Sequence, residues 1–479
     1  MRRWIPWIVS GAAALTAAAL LHAWMRQVPP DPETRWPTRE GSIAEARAVR
    51  SNEEVNIEGT LREFPGVPVA PSSSWSQFRG PGRENLATLQ GPLLETWPTN
   101  GPPVLWRVEL CEGHAAPAVR NGRVYLLDYN EVRKGDMLRC FALDSGRELW
   151  QRFYKIRTAP QHFSISRTIP AVDDTSVVTL GPQCQVLCVN ATNGAYRWGL
   201  DLVRSYGTRI PEWLAGQCPL LDNGEAVLAP SGRALLIGVD LATGKVNWET
   251  PNPAQWKMSH ASVMVLTADG VRQFVYAALE GVAGVAADGP ERGTLLWRAE
   301  VLKSRSYMAP SPVPLPGGRV FLTGSGSGGA MLRVSRSNGV WQAAVLFRTD
   351  SAKFACEQQT PVFRDGLLYT VMPNDAGAHK REFACMDPDG NVLWNSGSDN
   401  RFGLMGLGPY LSVGHRFLVL GDTGRLSLLA ADRSGCRPLA SADLFNGTGR
   451  DAWAPMVLVD GRLLLRDSKR MLCLDLRGR

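Results

Sequence analysis

The sequence predicts an all-β protein built as an eight-bladed β-propeller of four-stranded antiparallel blades. Two observations predict it: a glycine turn recurs eight times at intervals of 43 to 51 residues, and in most copies a tryptophan follows four residues later. Alternating apolar segments separated by polar turns fill each interval, which is typical of four short strands in a blade. The turn glycines are Gly146, Gly194, Gly244, Gly293, Gly339, Gly390, Gly435 and Gly478.

The first repeat shows the order of elements within one blade. A segment of small residues and proline, Gly113 to Pro117, leads into the first strand, and the polar turn Arg120 to Arg123 separates it from the second. A third strand, Met137 to Ala142, ends at the glycine turn, and Arg147 to Trp150 opens the fourth. The propeller is therefore predicted to occupy residues 104–479.

The last repeat reaches its glycine turn, Gly478, without a fourth strand after it. A matching strand occurs at the other end of the propeller, since residues 104–110 resemble the segment Trp297 to Leu302. We expect this N-terminal strand to complete the eighth blade and close the ring, with Trp106 in the tryptophan position. Closure of this kind removes open sheet edges, which promote aggregation.

The repeated tryptophans are predicted to be structural. A tryptophan at this position would bury its ring against the neighbouring blade and donate its indole N–H to a buried acceptor. Two repeats depart from the pattern, because Trp341 comes only two residues after Gly339 and Leu439 takes the tryptophan position of the seventh repeat. The tryptophans predicted to dock are Trp106, Trp150, Trp198, Trp248, Trp297 and Trp394.

The N-terminus predicts membrane attachment. Arg2 and Arg3 precede an apolar stretch, Trp4 to Met25, that contains no acidic residue, lysine or arginine. We interpret residues 1–26 as a signal-anchor helix that crosses the membrane once and places the propeller on the exported side. The alternative is a signal peptide cleaved near Ala17 to Ala23, which would release the protein.

Two further segments connect this helix to the propeller. Residues 27–74 are rich in proline and mixed charge and predict a flexible linker, with a short helix over residues 42–50 as its one periodic element. Residues 75–103 begin with Trp-Ser-Gln-Phe-Arg-Gly-Pro, where the composition changes. We interpret them as the lead-in segment of the folded domain.

The positions of the cysteines argue against a disulfide framework, and the distribution of charge argues against nucleic-acid binding. Cys140, Cys188, Cys385 and Cys473 occupy a position five or six residues before a turn glycine that other repeats fill with glycine or alanine, so we expect buried free thiols there rather than disulfides. The formal net charge is +7. Since the basic residues are scattered without interleaved aromatic residues, no nucleic-acid partner is predicted.

The glycine turns resemble those of a known superfamily. Cys188 to Trp198 and Gly238 to Trp248 follow the pattern A-x-D-x-x-T-G-x-x-x-W in several positions. This pattern is similar to the tryptophan-docking motif of the quinoprotein alcohol dehydrogenase-like superfamily, whose members are eight-bladed propellers with pyrroloquinoline quinone (PQQ)-type repeats. The resemblance covers Trp75 to Arg479 and implies a bacterial protein of this fold.

The resemblance also allows a test for the chemistry of that superfamily. Its dehydrogenases use PQQ beside a disulfide between adjacent cysteines, a calcium ion and an aspartate base. No adjacent cysteine pair and no C-x-x-C-H haem motif occur in this sequence. We therefore predict no catalytic residue, no metal site and no cofactor, and keep a PQQ- or metal-dependent oxidoreductase, with PQQ and calcium, as the alternative.

One position near the start of each blade carries polar residues in four repeats. Each blade opens with a proline, or with Val263 in the fourth blade, and the position lies three residues before it. Propellers place this loop near their axis. The eight residues at this position are His114, Arg167, Gly216, His260, Ala309, Gln358, Gly406 and Ala452. We predict that the four polar ones bind an anionic group or a peptide carboxylate at one mouth of the channel. The alternative is that they cap neighbouring backbone groups.

These observations predict a non-catalytic binding or scaffolding module. The resemblance includes bacterial propellers that lack a quinone site, such as the lipoprotein of the outer-membrane β-barrel assembly machinery, although no cysteine precedes Cys111 for lipid attachment. We expect a monomeric propeller on the periplasmic side of the bacterial inner membrane, with another envelope protein or a peptide as its partner. Secretion into the periplasm after signal cleavage is the alternative location.

Overall fold

The structure is a computed structural model that describes residues 54–69, 73–157, 166–304, 307–324, 326–445 and 451–478. The predicted membrane segment, residues 1–26, and the predicted helix at residues 42–50 lie outside these ranges. None of the helices within the ranges combines the length and the apolar character that crossing a bilayer requires. All described residues belong to one compact unit that starts at Glu53.

Eight sheets, each with four antiparallel strands, form the eight predicted blades, and the sheets of blades 1 and 7 carry one further strand each. In blades 1 to 7 the four strands follow chain order, so each of these blades is a meander of hairpins. First strands of neighbouring blades contact each other from blade 1 to blade 3 and from blade 4 to blade 6. The first strands therefore lie around the central channel, and the fourth strands lie at the outer edges.

The first two strands of each blade are short and mostly buried. From blade 1 to blade 8 the first strands are Ala118–Arg120, Ala171–Val172, Leu220–Asp222, Met264–Ala268, Val313–Leu315, Val362–Arg364, Tyr410–Val413 and Val457–Val459. The second strands are Arg123–Asn130, Ser176–Leu180, Glu225–Leu228, Val271–Ala277, Arg319–Gly324, Leu367–Val371, Arg416–Leu420 and Arg462–Arg466. Their apolar side chains supply most of the core between blades.

The outer two strands of each blade carry the repeated motif. The third strands are Gly135–Ala142, Gln185–Asn190, Ala234–Asp240, Val282–Ala286, Gly328–Ser337, Phe383–Met386, Arg425–Asp432 and Arg470–Asp475. The fourth strands are Glu148–Lys155, Tyr196–Asp201, Val246–Pro251, Leu295–Ala299, Val340–Thr349, Val392–Asn395 and Gly435–Asp443, followed by Val104–Glu109 in blade 8. The described residues also contain an α-helix, Leu202–Tyr206, and a 3-10 turn, Gly377–His379.

The strand predicted to complete the eighth blade lies beside the third strand of that blade. Val104–Glu109 runs antiparallel to Arg470–Asp475, with Trp106 opposite Cys473. The Trp106 indole N–H donates to the Leu143 carbonyl in the turn of blade 1 at 2.8 Å. Blade 8 therefore takes its fourth strand from the N-terminal end of the propeller and contacts blade 1 through it.

Four of the tryptophans bond to the next blade. Each donates its indole N–H to a turn carbonyl of the following blade, at 2.8 to 3.1 Å. In all four blades the residue directly opposite the tryptophan on the third strand is a buried cysteine. The pairs are Cys473 with Trp106, Cys140 with Trp150, Cys188 with Trp198 and Cys385 with Trp394.

The other two tryptophans bond to their own blade, where the opposite residue is a glycine. Trp248 lies opposite Gly238 and donates to the Glu225 carboxylate at 2.8 Å. A Cβ atom on Gly238 would lie 2.1 Å from the indole nitrogen. A second such pair, Gly284 with Trp297, repeats this geometry. In these two blades the missing Cβ thus lets the indole fold over its own blade.

The cysteines at this position are buried free thiols, as predicted, and all nine cysteines of the chain are free. Burial raises the pKa of Cys188, Cys385 and Cys473 to about 12. At neutral pH these thiols stay protonated and pack as small apolar groups.

The irregular fifth repeat uses a phenylalanine for docking. The turn glycines Gly146, Gly194, Gly244 and Gly293 each lie against the tryptophan of the preceding blade. A Cβ atom on the turn glycine Gly390 would instead lie 2.9 Å from the ring of Phe347. Trp341, the tryptophan that comes only two residues after the turn glycine of this repeat, lies under the Arg336 guanidinium. The longer hairpin of blade 5 shifts the aromatic residue along its fourth strand.

The lead-in segment runs through the central channel. Trp75 pairs with Val119 of the first strand of blade 1, and Ser76 accepts a hydrogen bond from Val172 of blade 2 at 2.8 Å. A two-residue strand, Leu86–Ala87, runs parallel to the first strand of blade 7. The segment thus contacts first strands on both sides of the channel and fills the space between them.

Two buried arginines fasten this segment to the channel wall. Arg79 donates to the carbonyls of Thr360 and Pro361 of blade 6 at 2.6 and 2.9 Å. Arg83 donates to the Pro219 carbonyl of blade 3 at 2.9 Å. Burial lowers the pKa of both guanidinium groups to about 10, so both remain charged at neutral pH. The sequence predicted a lead-in to the domain but not its passage through the channel.

The described end of the predicted linker contains one ordered strand. Thr60–Glu63 pairs antiparallel with the fourth strand of blade 1, Glu148–Lys155, and extends that sheet to five strands. The flexible linker predicted for residues 27–74 therefore does not include this part. The reason is that the outer edge of blade 1 offers unpaired backbone groups, which this strand satisfies.

Candidate binding site at the channel mouth

The aligned positions lie in the loops that precede the first strands, and backbone hydrogen bonds join two pairs of neighbouring loops. The His114 backbone N–H donates to the Ser166 carbonyl at 2.7 Å, and the His260 backbone N–H donates to the Met308 carbonyl at 2.9 Å. In both pairs the acceptor comes directly before the aligned position of the next blade. The loops therefore meet around one end of the channel, which we call the mouth.

A second set of hydrogen bonds keeps these loops in register. The backbone N–H of Cys218 donates to the Ser262 hydroxyl, that of Ser262 to the Ser311 hydroxyl, and that of Ser311 to the Thr360 hydroxyl, all at 2.9 Å. Each of these four residues lies two positions after the aligned position of its own blade. Blades 3 to 6 are thus joined by one repeated side-chain bond per blade, which holds the loops of the mouth rigidly.

Three of the four predicted residues act on one another at the mouth. Arg167 is half-buried, whereas His114 and His260 are only 7% and 9% exposed. Burial, followed by the Arg167 charge, lowers the pKa of His114 to about 3 and that of His260 to about 4. Both imidazoles are therefore neutral at neutral pH, and Arg167 carries the positive charge of the group. We call these three residues the mouth site.

The ring nitrogens of the two histidines are buried without a hydrogen-bond partner in the described ranges. The backbone of Asp451 lies near His114, and the backbone of Trp213 and Leu214 lies near His260. These backbone groups raise the pKa of the nearby histidine and so oppose part of the lowering by burial. None of these groups reaches hydrogen-bond geometry with an imidazole nitrogen. Buried polar groups in this state are uncommon and mark places where a ligand or water completes the bonding.

Aromatic side chains surround the mouth site. The His114 ring stacks on Trp453 with 4.4 Å between centroids, and His260 meets the edge of Tyr307 at 6.5 Å. The Tyr307 hydroxyl donates to the Glu357 carboxylate at 2.7 Å. The imidazoles are thus held in orientation by packing rather than by hydrogen bonds.

The aligned glycine of blade 3 makes room for one of these rings. A Cβ atom on Gly216 would lie 2.5 Å from Cδ2 of His260. The side chain of His260 therefore leans into the space that blade 3 leaves empty. This contact brings His260 toward the neighbouring loop, and residue type alone does not predict it.

The fourth predicted residue, Gln358, is half-buried, but its neighbour Gln359 makes the contacts across the mouth. The Gln359 side-chain amide donates to the carbonyls of Leu407 and Trp453 at 3.1 and 2.9 Å. Within the described residues no hydrogen bond or ion pair joins the Gln358 side chain to the mouth site. Residues 357–359 form a bend, so the local backbone decides which glutamine crosses the mouth.

The donor set of the mouth does not fit calcium. Calcium prefers carboxylate and carbonyl oxygens, whereas the mouth site presents imidazole nitrogens and a guanidinium. Across the ranges that the structure describes, no three histidine, cysteine or acidic side chains are grouped so that they could hold a metal ion. No two cysteines are adjacent to form the disulfide that the quinone dehydrogenases use. The residues present therefore do not fit calcium-assisted quinone chemistry.

The sequence matches a protein family over most of the propeller. The family model described as outer membrane protein assembly factor BamB matches residues 82–210 and 185–395. The chain belongs to this family. The BamB family match begins inside the channel-filling segment and ends with the fourth strand of blade 6, so it includes the loops that carry the mouth site.

Solved structures with the same fold include both BamB proteins and enzymes. BamB from Moraxella catarrhalis is 12% identical and aligns with a TM-score of 0.54 over 79% of this chain and 98% of that chain. A europium-containing methanol dehydrogenase is 10% identical, with a TM-score of 0.58 over 84% and 89%. The quinohemoprotein alcohol dehydrogenase from Comamonas testosteroni is 11% identical, with a TM-score of 0.56 over 92% and 85%. At these identities the likeness concerns the fold alone.

The predicted resemblance to PQQ-type propellers is thus confirmed. A comparison with curated proteins by sequence finds no match.

The buried histidines make the stability of this BamB family member depend on pH. Their folded-state pKa values lie below the usual value of about 6.5, so the unfolded chain binds more protons and stability falls as the pH drops below that value. We expect His114→Phe to remove about 2 kcal/mol of the stability lost between about pH 7 and about pH 5. Chemical denaturation at both pH values measures this difference.

The exposed His415 supplies the matched control, because His415→Phe leaves the mouth unchanged. If His114→Phe and His415→Phe show the same dependence on pH, His114 does not titrate as a buried group.

Proposed function

We propose that this protein is a non-catalytic propeller of the bacterial cell envelope that binds another protein through the loops at its mouth. The observation that carries the proposal is the contrast between the channel and its rim. The channel is filled by the lead-in segment, whereas the rim exposes large apolar side chains. Trp213 is 42% exposed, Leu404 65% and Met405 49%.

The exposed apolar residues lie in the same kind of loop as the mouth site. Trp213 precedes the first strand of blade 3, and Leu404 and Met405 precede that of blade 7. These blades stand on opposite sides of the eight-membered ring. Apolar side chains exposed around a rim favour contact with a protein surface.

Family membership supports a role in assembling envelope proteins, because the family is described by an outer-membrane assembly factor. We further propose that residues 1–26 anchor the chain in the inner membrane with the propeller in the periplasm. Release after signal cleavage is the alternative, and fractionation of cells distinguishes the two by whether the protein stays with the membranes after a salt wash.

Site-specific photo-crosslinking in cells tests the binding face. A photo-reactive amino acid at Leu404 is expected to yield an adduct with an envelope protein, which mass spectrometry identifies. The same substitution at Asn193 is the control, because Asn193 is exposed in the turn between third and fourth strands at the outer side of blade 2. Equal adducts from both positions, or none from Leu404 and Trp213, would contradict the proposal.

A further inference from the structure

We infer that the mouth site binds a single carboxylate carried on an apolar or aromatic residue, as at the free C-terminus of a peptide. The inference rests on the proposed function, because the peptide would belong to the protein partner. It adds the chemical group that the mouth recognises.

The two histidines point to a ligand because their bonding is incomplete. A neutral imidazole has one N–H donor and one acceptor nitrogen, and both nitrogens of His114 and His260 are buried without hydrogen-bond geometry to the described chain. Leaving such groups unsatisfied is unfavourable. A carboxylate at the mouth would accept from the one N–H group of each neutral imidazole and satisfy these two donors.

Arg167 determines the charge of the ligand. A guanidinium presents parallel N–H donors that match the two oxygens of a carboxylate. Arg167 is half-buried, and burial lowers the pKa of its guanidinium to about 10, so the group stays charged while partly removed from water, which strengthens a charge-assisted bond. Since both imidazoles are neutral, Arg167 supplies the positive charge of the mouth site, and the charge of the buried Arg466 also acts on His114.

A second negative charge is disfavoured by an acidic neighbour. Glu357 accepts from the Tyr307 hydroxyl, and the Tyr307 ring lies against His260. A phosphate group carries more negative charge than a carboxylate, so this acid would repel it more strongly. The arrangement therefore favours a carboxylate.

The aromatic residues determine the rest of the ligand. Trp453 stacks on His114, Tyr307 meets His260, and the backbone of Trp213 lies near His260. A carboxylate held by Arg167 would place its attached side chain among these rings. An apolar or aromatic terminal residue fits them, because burial against aromatic surface is favourable for such side chains.

Titration calorimetry on the full chain in detergent tests the inference with a defined probe. The probe is the peptide acetyl-Gly-Gly-Gly-Phe with a free C-terminal carboxylate, and the comparison is the same peptide with a C-terminal amide. We expect the amide to bind at least about tenfold more weakly, as for loss of a charge-assisted hydrogen bond. Inorganic phosphate at the same concentration is expected not to displace the free acid.

Two matched variants locate the binding. Arg167→Met is expected to weaken binding of the free acid by at least about tenfold, whereas Arg437→Met, an exposed arginine on the fourth strand of blade 7, leaves it unchanged. Circular dichroism checks that both variants fold. If Arg167→Met does not fold, the comparison of acid with amide on the parent chain still decides.

Several results would overturn the inference: no binding of either peptide, equal binding of acid and amide, displacement by phosphate, or unchanged binding by folded Arg167→Met. The proposed function is tested separately, since crosslinking from Leu404 does not depend on a carboxylate. Adducts from Leu404 that persist in Arg167→Met without peptide binding would leave the protein-binding role standing and remove only the ligand assignment.

Discussion

Replacing Arg79 with methionine is expected to lower the free energy of unfolding by about 3–5 kcal/mol. The Arg79 side chain is buried and donates to four backbone carbonyls, two in blade 6 and two in its own segment. Methionine has similar length but no donor, so buried carbonyl oxygens would lose their partners. Chemical denaturation of the full chain in detergent measures the change.

The control for this prediction is Arg437→Met, which replaces an exposed arginine and should change stability by no more than about 0.5 kcal/mol. A second measurement is limited digestion with trypsin. Arg83 is buried in the parent chain, and loosening of the channel segment in Arg79→Met should speed cleavage after it. Equal stability of Arg79→Met and Arg437→Met would mean that the segment does not brace the channel.

This bracing also affects how the mouth works. The residues that accept from Arg79, Thr360 and Pro361, begin blade 6, and the Thr360 hydroxyl accepts from Ser311 in the chain of bonds between the loops. A guanidinium inside the channel thus supports the same backbone that positions the mouth loops. We expect damage to the segment to disturb the mouth even though no residue of the segment belongs to the mouth site.

The sequence predicts the blades well because their motif has a direct physical cause. The small residue, the tryptophan and the turn glycine meet in one contact between blades, so Cys188, Trp198 and Gly244 constrain one another across about fifty residues. Such constraints repeat at a fixed interval and are visible in a single sequence. The substitution of Phe347 for a tryptophan escapes notice, because the longer hairpin changes the spacing.

The channel segment and the details of the mouth could not be predicted in the same way. Residues such as Arg79 and Asn85 occur once, without periodicity, and adopt positive φ angles of 63° that the chain around the channel imposes. At the mouth, alignment of the repeats identified His114, Arg167 and His260 but missed Gln359 and Trp453. Contacts between loops depend on side-chain direction, which a count from a proline does not supply.

The largest effect on packing is expected at the contact between blades 1 and 2. Trp150 is fully buried in this contact and donates its indole N–H to the Thr192 carbonyl at 3.1 Å. We expect Trp150→Ala to lower the free energy of unfolding by about 3–5 kcal/mol, through the lost burial and the cavity that remains. Trp213, which is 42% exposed, is the comparison, because Trp213→Ala removes the same side chain from a site that is only partly buried and should therefore cost less.

The turn glycine on the other side of this contact allows a double-mutant cycle. Gly194 has a φ of 71°, and a Cβ atom there would lie 2.6 Å from the Trp150 ring. Gly194→Ala should therefore be destabilising by about 2–4 kcal/mol, from backbone strain together with overpacking. Gly339→Ala, at a φ of 81° with open space around it, should show the strain alone, about 1 kcal/mol.

In the Trp150→Ala background the ring is gone and only the flexible Leu61 side chain, 3.0 Å from the Cβ position, remains close, so Gly194→Ala should be only slightly more destabilising there than Gly339→Ala is in the parent chain. The resulting coupling of about 1–3 kcal/mol, measured by chemical denaturation of the four proteins, would assign the recurrence of glycine at this turn to the docked tryptophan. A coupling near zero would instead mean that the turn conformation alone requires glycine, and that the contact between blades tolerates a larger residue.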